Sequence, residues 1–173
     1  KRRWVFEAFQ ALENAGYTVG SAYTAVKDPA RSSFMYRDKL WQGADLVGLG
    51  VASFGHVNGV HMQNLDSWET YAARIAEGRL PLGRAYRPTE EERLIRELVL
   101  QLKRGSITPS YFSNAYGFDI REKFADVWES LVKTGDVALV SRDTISLSRK
   151  GLLRVDSFLP RFFLPEHANI RYT

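Results

Sequence analysis

The residues with the most chemical potential lie close together. Gly48, Gly50, Ser53, Gly55 and Gly59 fall in the run "DLVGLGVASFGHVNG", and His56 and His61 stand beside them. Gly48-Leu49-Gly50 has the G-x-G spacing of a dinucleotide phosphate turn. That chemistry needs a helix starting at the turn, so that its first amides meet the pyrophosphate. The residues after Ser53 have no helical period, and the next capped helix is predicted only at Asp66. A nucleotide-phosphate turn of that type is therefore excluded. The glycines still permit close approach of backbone to a ligand at the end of a strand, or simply close packing of neighbouring elements. Both readings stand at this point.

Composition narrows the remaining chemistry. The chain of 173 residues is 45% hydrophobic and 25% charged, an ordinary globular balance. It has no cysteine and three histidines, which excludes a disulfide framework and thiolate metal sites within it and argues against zinc. No apolar run approaches a membrane span, and no signal peptide is expected. The net charge of +4 suits anionic ligands, although a solvated surface of mixed sign has the same signature. The opening Lys1-Arg2-Arg3-Trp4 runs straight into a helical pattern without methionine or cap. This leads to the expectation that further residues precede it.

The elements that position the glycine run are predicted from period and caps. Trp4, Val5, Ala8, Phe9 and Leu12 mark a first helix closed by Gly16. Tyr17 to Val26 reads as one strand, and Ala44 to Val51 as a second, buried strand entering the glycines. This order suggests the end of an α/β unit. Asp66 with Glu69 caps a helix to Gly78 whose apolar face is Trp68, Tyr71, Ala72 and Ile75. Leu80-Pro81-Leu82-Gly83-Arg84 reads as a linker, which divides the chain into residues 1–79 and 80–173.

The second part has a different grammar. Thr89 and Glu92 form a capping box for a helix through Arg104. Thr108-Pro109 opens a short helix closed by Gly117. Asp119 and Glu122 open a third, with Phe124, Val127, Trp128 and Leu131 inside. Val137 to Val140 and Ile145 to Leu147 form a hairpin, and Ser148 caps a last helix carrying Leu152, Leu153, Val155, Phe158 and Leu159. This is a winged-helix-like arrangement. DNA is not its expected partner: Arg121 and Lys123 are mixed with Glu122, Asp126 and Glu129, and Glu90, Glu91 and Glu92 would repel a phosphate backbone.

The stretches "GYTVGSAYTAVKDP", "YRDKLWQGADLVGLGVAS", "QNLDSWETYAARIAEG" and "RLIRELVLQLKRG" resemble the C-terminal half of the oxygen-independent coproporphyrinogen III oxidase family. That radical S-adenosylmethionine family also includes heme chaperones and heme-degrading methyltransferases. The resemblance implies an α/β plus α+β chain: the end of a partial radical SAM-type α/β barrel, through about Gly59, followed by the winged-helix-like domain, which covers the site. It implies S-adenosylmethionine and a [4Fe–4S] cluster in the full-length protein, with the cluster's Cys-x-x-x-Cys-x-x-Cys ligands outside this chain, so that the chain alone is inactive. The implied reaction is oxidative decarboxylation of a tetrapyrrole's propionate side chains in the cytoplasm, begun by a 5′-deoxyadenosyl radical. The implied partners are the tetrapyrrole or heme, an electron-donor protein and the N-terminal remainder of the barrel. Heme binding, methyl transfer and a non-enzymatic winged-helix module binding DNA or protein are the alternatives.

By the same resemblance Gly48, Gly50, Val51, Ala52, Ser53 and Phe54 shape the wall of the site, with Gln63 and Asn64 just beyond it and Tyr71 packing there. Each has a plainer role open to it. Tyr71 lies on an apolar face and suits the core, Asn64 suits a turn, and Phe54 suits either core or ligand. Tyr23 can face the barrel lumen or pack outward. Arg37 can hold a propionate carboxylate through two hydrogen bonds, or be solvated. His56 and His61 are expected to flank a flexible loop, as iron ligands, proton donors or neither. The tail from Phe162 is expected to dock on the domain.

Overall fold

A computed structural model describes residues 2–167. The chain mixes helices and strands, and every strand pair among the described residues is antiparallel. It divides into two compact units, Lys1–Met35 with Leu94–Thr173, and Tyr36–Arg93. These units do not follow the division expected between residues 79 and 80.

The first unit opens with α1 (Arg2–Asn14), which ends where Gly16 takes a left-handed backbone at φ 83° and donates to the Glu13 carbonyl. Of the expected apolar face only Phe9 is buried, and Trp4 is 73% exposed. The single strand expected over Tyr17–Val26 is instead a tight hairpin of β1 (Thr18–Ser21) and β2 (Thr24–Val26). Ser21 breaks it: its hydroxyl pairs with the Thr24 hydroxyl at 2.7 Å and accepts from the Tyr23 amide, a local bond that competes with extension.

Helices α4 (Glu90–Leu102), α5 (Pro109–Tyr116), α6 (Ile120–Lys123) and α7 (Ala125–Lys133) follow. The Thr89 hydroxyl accepts from the Glu92 amide at 3.2 Å, while the Glu92 carboxylate accepts from the Thr89 amide at 2.7 Å, closing the capping box. The expected third helix is two, because Phe124 leaves helical geometry at φ −119°, ψ 31°. A three-stranded sheet has the order β6 (Ser106–Ile107), β8 (Ile145–Leu147), β7 (Val137–Val140). Ser148 caps α8 (Arg149–Leu153), which passes into 3-10 turns and not the longer helix expected. Leu94, Leu98, Leu102, Ile107, Phe112, Ile120, Trp128, Leu131, Ile145, Val155 and Phe162 form the core of this unit. Phe163 and Leu164 pack against it; the last six tail residues lie outside the described range.

The second unit contains α2 (Met35–Trp41), a hairpin of β3 (Phe54–Val57) and β4 (Val60–Asn64), α3 (Trp68–Ala76) and β5 (Leu82–Tyr86). The strands form one sheet in the order β3-β4-β5. Asn58 and Gly59 both have positive φ, 48° and 75°, the geometry that a two-residue hairpin turn requires. The segment expected as a linker at Leu80–Arg84 runs into β5, which β4 templates. Ser67, not Asp66, caps α3: its hydroxyl accepts from the Thr70 amide and donates to Glu69, holding the Glu69 carboxyl below its usual range. No helix among the described residues is long and apolar enough to cross a membrane.

Candidate ligand site at the glycine turn

The buried strand expected over Ala44–Val51 is absent. Only Leu46 pairs, exchanging two hydrogen bonds with His56 at 2.6 and 2.7 Å. The chain then folds into a compact turn from Gly48 to Ser53 that feeds β3, with no helix starting at its end. Close packing at Gly48 decides this. A Cβ there would stand 2.2 Å from the Phe54 carbonyl oxygen, so the turn closes only over a bare backbone. Gly50 and Ala52 take positive φ, 101° and 57°. For Ala52 that conformation is strained, and the surrounding bonds must hold it.

Those bonds come from β4 and α3. Asn64, nearly buried, donates its side-chain amide to the carbonyls of Gly48 (3.0 Å) and Gly50 (2.9 Å). Its backbone amide donates to Ser53, and the Ala52 amide donates to Leu65. The Gln63 side-chain amide donates to the Ala52 carbonyl at 3.1 Å, and the Tyr71 hydroxyl accepts from the Gly50 amide at 3.1 Å. The Ser53 hydroxyl closes the turn by donating to the Leu49 carbonyl at 2.7 Å. Gly48, Gly50, Ala52, Ser53, Gln63 and Asn64 are thus brought together, and Tyr71 joins them through its hydroxyl. Asn64 serves as a clamp on the turn, a role the sequence did not suggest. Val51 is half-buried within it, and Phe54 leaves it 62% exposed.

Arg37 sits on α2. Its Nε donates to Asp38 at 2.8 Å and its guanidinium lies 4.9 Å from the Trp41 ring centre. The Asp38 carboxylate also lies 2.7 Å from Arg37 Nη2. His56 and His61 do not flank a flexible loop: they face one another across β3 and β4, ring centres 4.7 Å apart, with His56 buried. The signal was Asn58-Gly59 between Val57 and Val60, a hairpin signature. Sequence reasoning also missed Arg84 and Tyr86, because Pro81 and Gly83 disguised β5.

Pairs directly opposed across an antiparallel sheet share a face. One face therefore carries the row Phe54–Gln63–Arg84 and, beside it, the row His56–His61–Tyr86. Arg84 Nε donates to Gln63 Oε1 at 2.6 Å, and the Tyr86 hydroxyl donates to Glu92 at 2.6 Å.

With this geometry in hand, the fold has a known counterpart. The structure matches the C-terminal region of coproporphyrinogen III oxidase (HemN) from Escherichia coli, described as a radical SAM enzyme. The TM-score is 0.71 at 20% sequence identity, over 91% of this chain. The likeness is one of fold. The chain spans 39% of the length of that structure. No family model and no curated protein sequence matches the chain.

The cofactors of a radical SAM enzyme fit this chain unequally. It has no cysteine, so a thiolate-held cluster takes no ligand from it. Among the described residues no group of three or more His, Asp or Glu could hold a metal ion. A small ligand has more to meet: the turn exposes Leu49, and the adjoining sheet face offers aromatic, amide and guanidinium groups.

Proposed function

We propose that this chain is the C-terminal part of a radical SAM enzyme acting on a tetrapyrrole, of the coproporphyrinogen III oxidase type. The observation that carries the reading is the shared fold over 91% of the chain. In this reading the region through about Gly59 completes a partial α/β barrel, and the helices and hairpin after Thr89 form a winged-helix-like domain. The cluster, S-adenosylmethionine and the electron donor engage parts of the protein beyond this chain, and they supply the radical chemistry when bound. The residues here orient the substrate and keep its surroundings ordered. The clamped turn from Gly48 to Phe54 forms a fixed wall, because its carbonyls and amides are tied to Asn64, Gln63, Leu65 and Tyr71.

The test is an anaerobic assay of the full-length protein with reconstituted cluster, S-adenosylmethionine, reductant and coproporphyrinogen III. Release of 5′-deoxyadenosine together with carbon dioxide from the propionates supports the reading. Intact substrate after full reconstitution overturns it.

The facing pair His56 and His61 favours a second reading, a heme-binding member of the same kind. Heme bound without decarboxylation, and lost in His61→Ala, would select it.

A further inference from the structure

One face of the β3–β4–β5 sheet leaves Phe54, Arg84 and Tyr86 exposed, while His56 on the same face is buried. Its leading row joins Phe54, Gln63 and Arg84, one residue from each strand, directly opposed. Phe54 keeps 62% of its surface and Tyr86, in the next row, 55%. Large aromatic rings left this open on a sheet offer stacking area for a planar partner.

Arg84 supplies the charge. Its Nε is fixed by Gln63 Oε1 at 2.6 Å, and the Gln63 amide is fixed in turn by the Ala52 carbonyl at 3.1 Å. The guanidinium is therefore tethered to the clamped turn through two hydrogen bonds and has lost part of its rotational freedom before any ligand arrives. That lowers the entropy cost of binding. Its terminal nitrogens, Nη1 and Nη2, meet no acceptor among the described residues. An arginine held at Nε with its outer fork open is shaped for a carboxylate taken through two parallel N–H···O bonds. Arg37 lacks that opening, because Asp38 lies against its guanidinium.

We propose that Arg84 is the carboxylate anchor of this face, and that the ligand it selects is a planar conjugated ring bearing carboxylate side arms, stacked on Phe54. Where that ligand is a porphyrin or heme, the assignment rests on the second, heme-binding reading above, since a porphyrinogen's methylene bridges make it neither flat nor conjugated; the recognition of a flat carboxylate does not. Gln63 is a positioning residue here: it aims the guanidinium and need not touch the ligand.

The test titrates the full chain, by fluorescence, with two probe pairs. One is mesoporphyrin and its dimethyl ester, the other 1-pyrenebutyrate and 1-pyrenebutanol. The native chain is expected to prefer each acid over its neutral partner by about tenfold or more, as for a charge-assisted pair. Arg84→Gln is expected to abolish that preference while leaving affinity for the neutral probes unchanged, and Arg84→Lys, which keeps charge but not the fork, to fall between. Arg37→Gln, with its charge equally removed, is expected to retain the preference. Equal preference in native chain and Arg84→Gln overturns the proposal, as does its loss in Arg37→Gln alone. Arg84-dependent binding of pyrenebutyrate with no porphyrin binding upholds the anchor and sinks the heme-binding reading. Porphyrin binding indifferent to Arg84 does the reverse.

Discussion

The side-chain nitrogen of Asn64 lies 2.9 Å from the carbonyl oxygen of Gly50 and 3.0 Å from that of Gly48. One primary amide thus supplies both of its hydrogens to a turn fourteen and sixteen residues earlier. This tie, not local propensity, holds the turn closed.

Asn64→Ala is expected to leave both carbonyls without that donor, at a cost of about 1–3 kcal/mol for each that stays buried. Asn64→Asp is expected to be worse, since a carboxylate offers only acceptors to two acceptors. Urea unfolding checks the cost, and hydrogen exchange at the Gly50 and Ala52 amides checks its location. Protection unchanged in both variants would show that the clamp is dispensable.

Gly48 tests the same turn from the backbone side. Its substitution by alanine drives a Cβ to 2.2 Å from the Phe54 carbonyl oxygen, a distance no side-chain adjustment relieves. The start of β3 must move, so Gly48→Ala is expected to loosen the Leu46–His56 bridge and broaden the signals of His56 and His61. Gly78→Ala is the control, with nothing within 4 Å of its Cβ and only its positive φ to strain it. Nuclear magnetic resonance spectra of the two variants should differ in the hairpin and agree elsewhere.

Where structure follows from neighbours in sequence, it was legible. The caps at Thr89, Asp119 and Ser148 start helices there, and the hairpin strands Val137–Val140 and Ile145–Leu147 have the expected bounds. Where structure depends on a distant partner, it was not. The apolar run before Val51 has a strand's composition, yet Asn64 and Tyr71 hold it as a turn. Strand β5 exists because β4 offers it an edge, which Pro81 and Gly83 conceal. At the candidate site the glycines announced close approach, but the inward direction of the Asn64 amide follows only from the register of β4.

The capping box at α4 gives a smaller, sharper expectation. Thr89→Ala removes the acceptor of the Glu92 amide and should cost about 1 kcal/mol, while Thr89→Ser should cost little. Comparison of the two urea midpoints separates the cap from general loss of side-chain packing, because serine keeps the hydroxyl and drops only the methyl group.

The pH dependence of the first unit should be one-sided at its alkaline end. Glu97, buried, accepts from Tyr111 at 2.5 Å and Tyr116 at 2.6 Å, one hydroxyl on each carboxylate oxygen. Burial, then the Glu97 carboxylate, raises the Tyr111 phenol above its ordinary 10.0; burial and Asp156 do the same to Tyr23. A raised phenol binds its proton more tightly folded than unfolded, so this stability is fully present below pH about 10 and falls as pH rises beyond it. Asp119, held low chiefly by its hydrogen bond to Arg121, works in the opposite direction: its contribution is present above the ordinary carboxylate range and is lost on acidification. Tyr111→Phe should therefore flatten the alkaline limb of a stability–pH curve and leave the acid limb in place, and Asp119→Asn, which keeps a capping oxygen, should flatten only the acid limb. An alkaline limb as steep in both Tyr111→Phe and Tyr23→Phe as in the native protein would show that neither phenol carries the linkage.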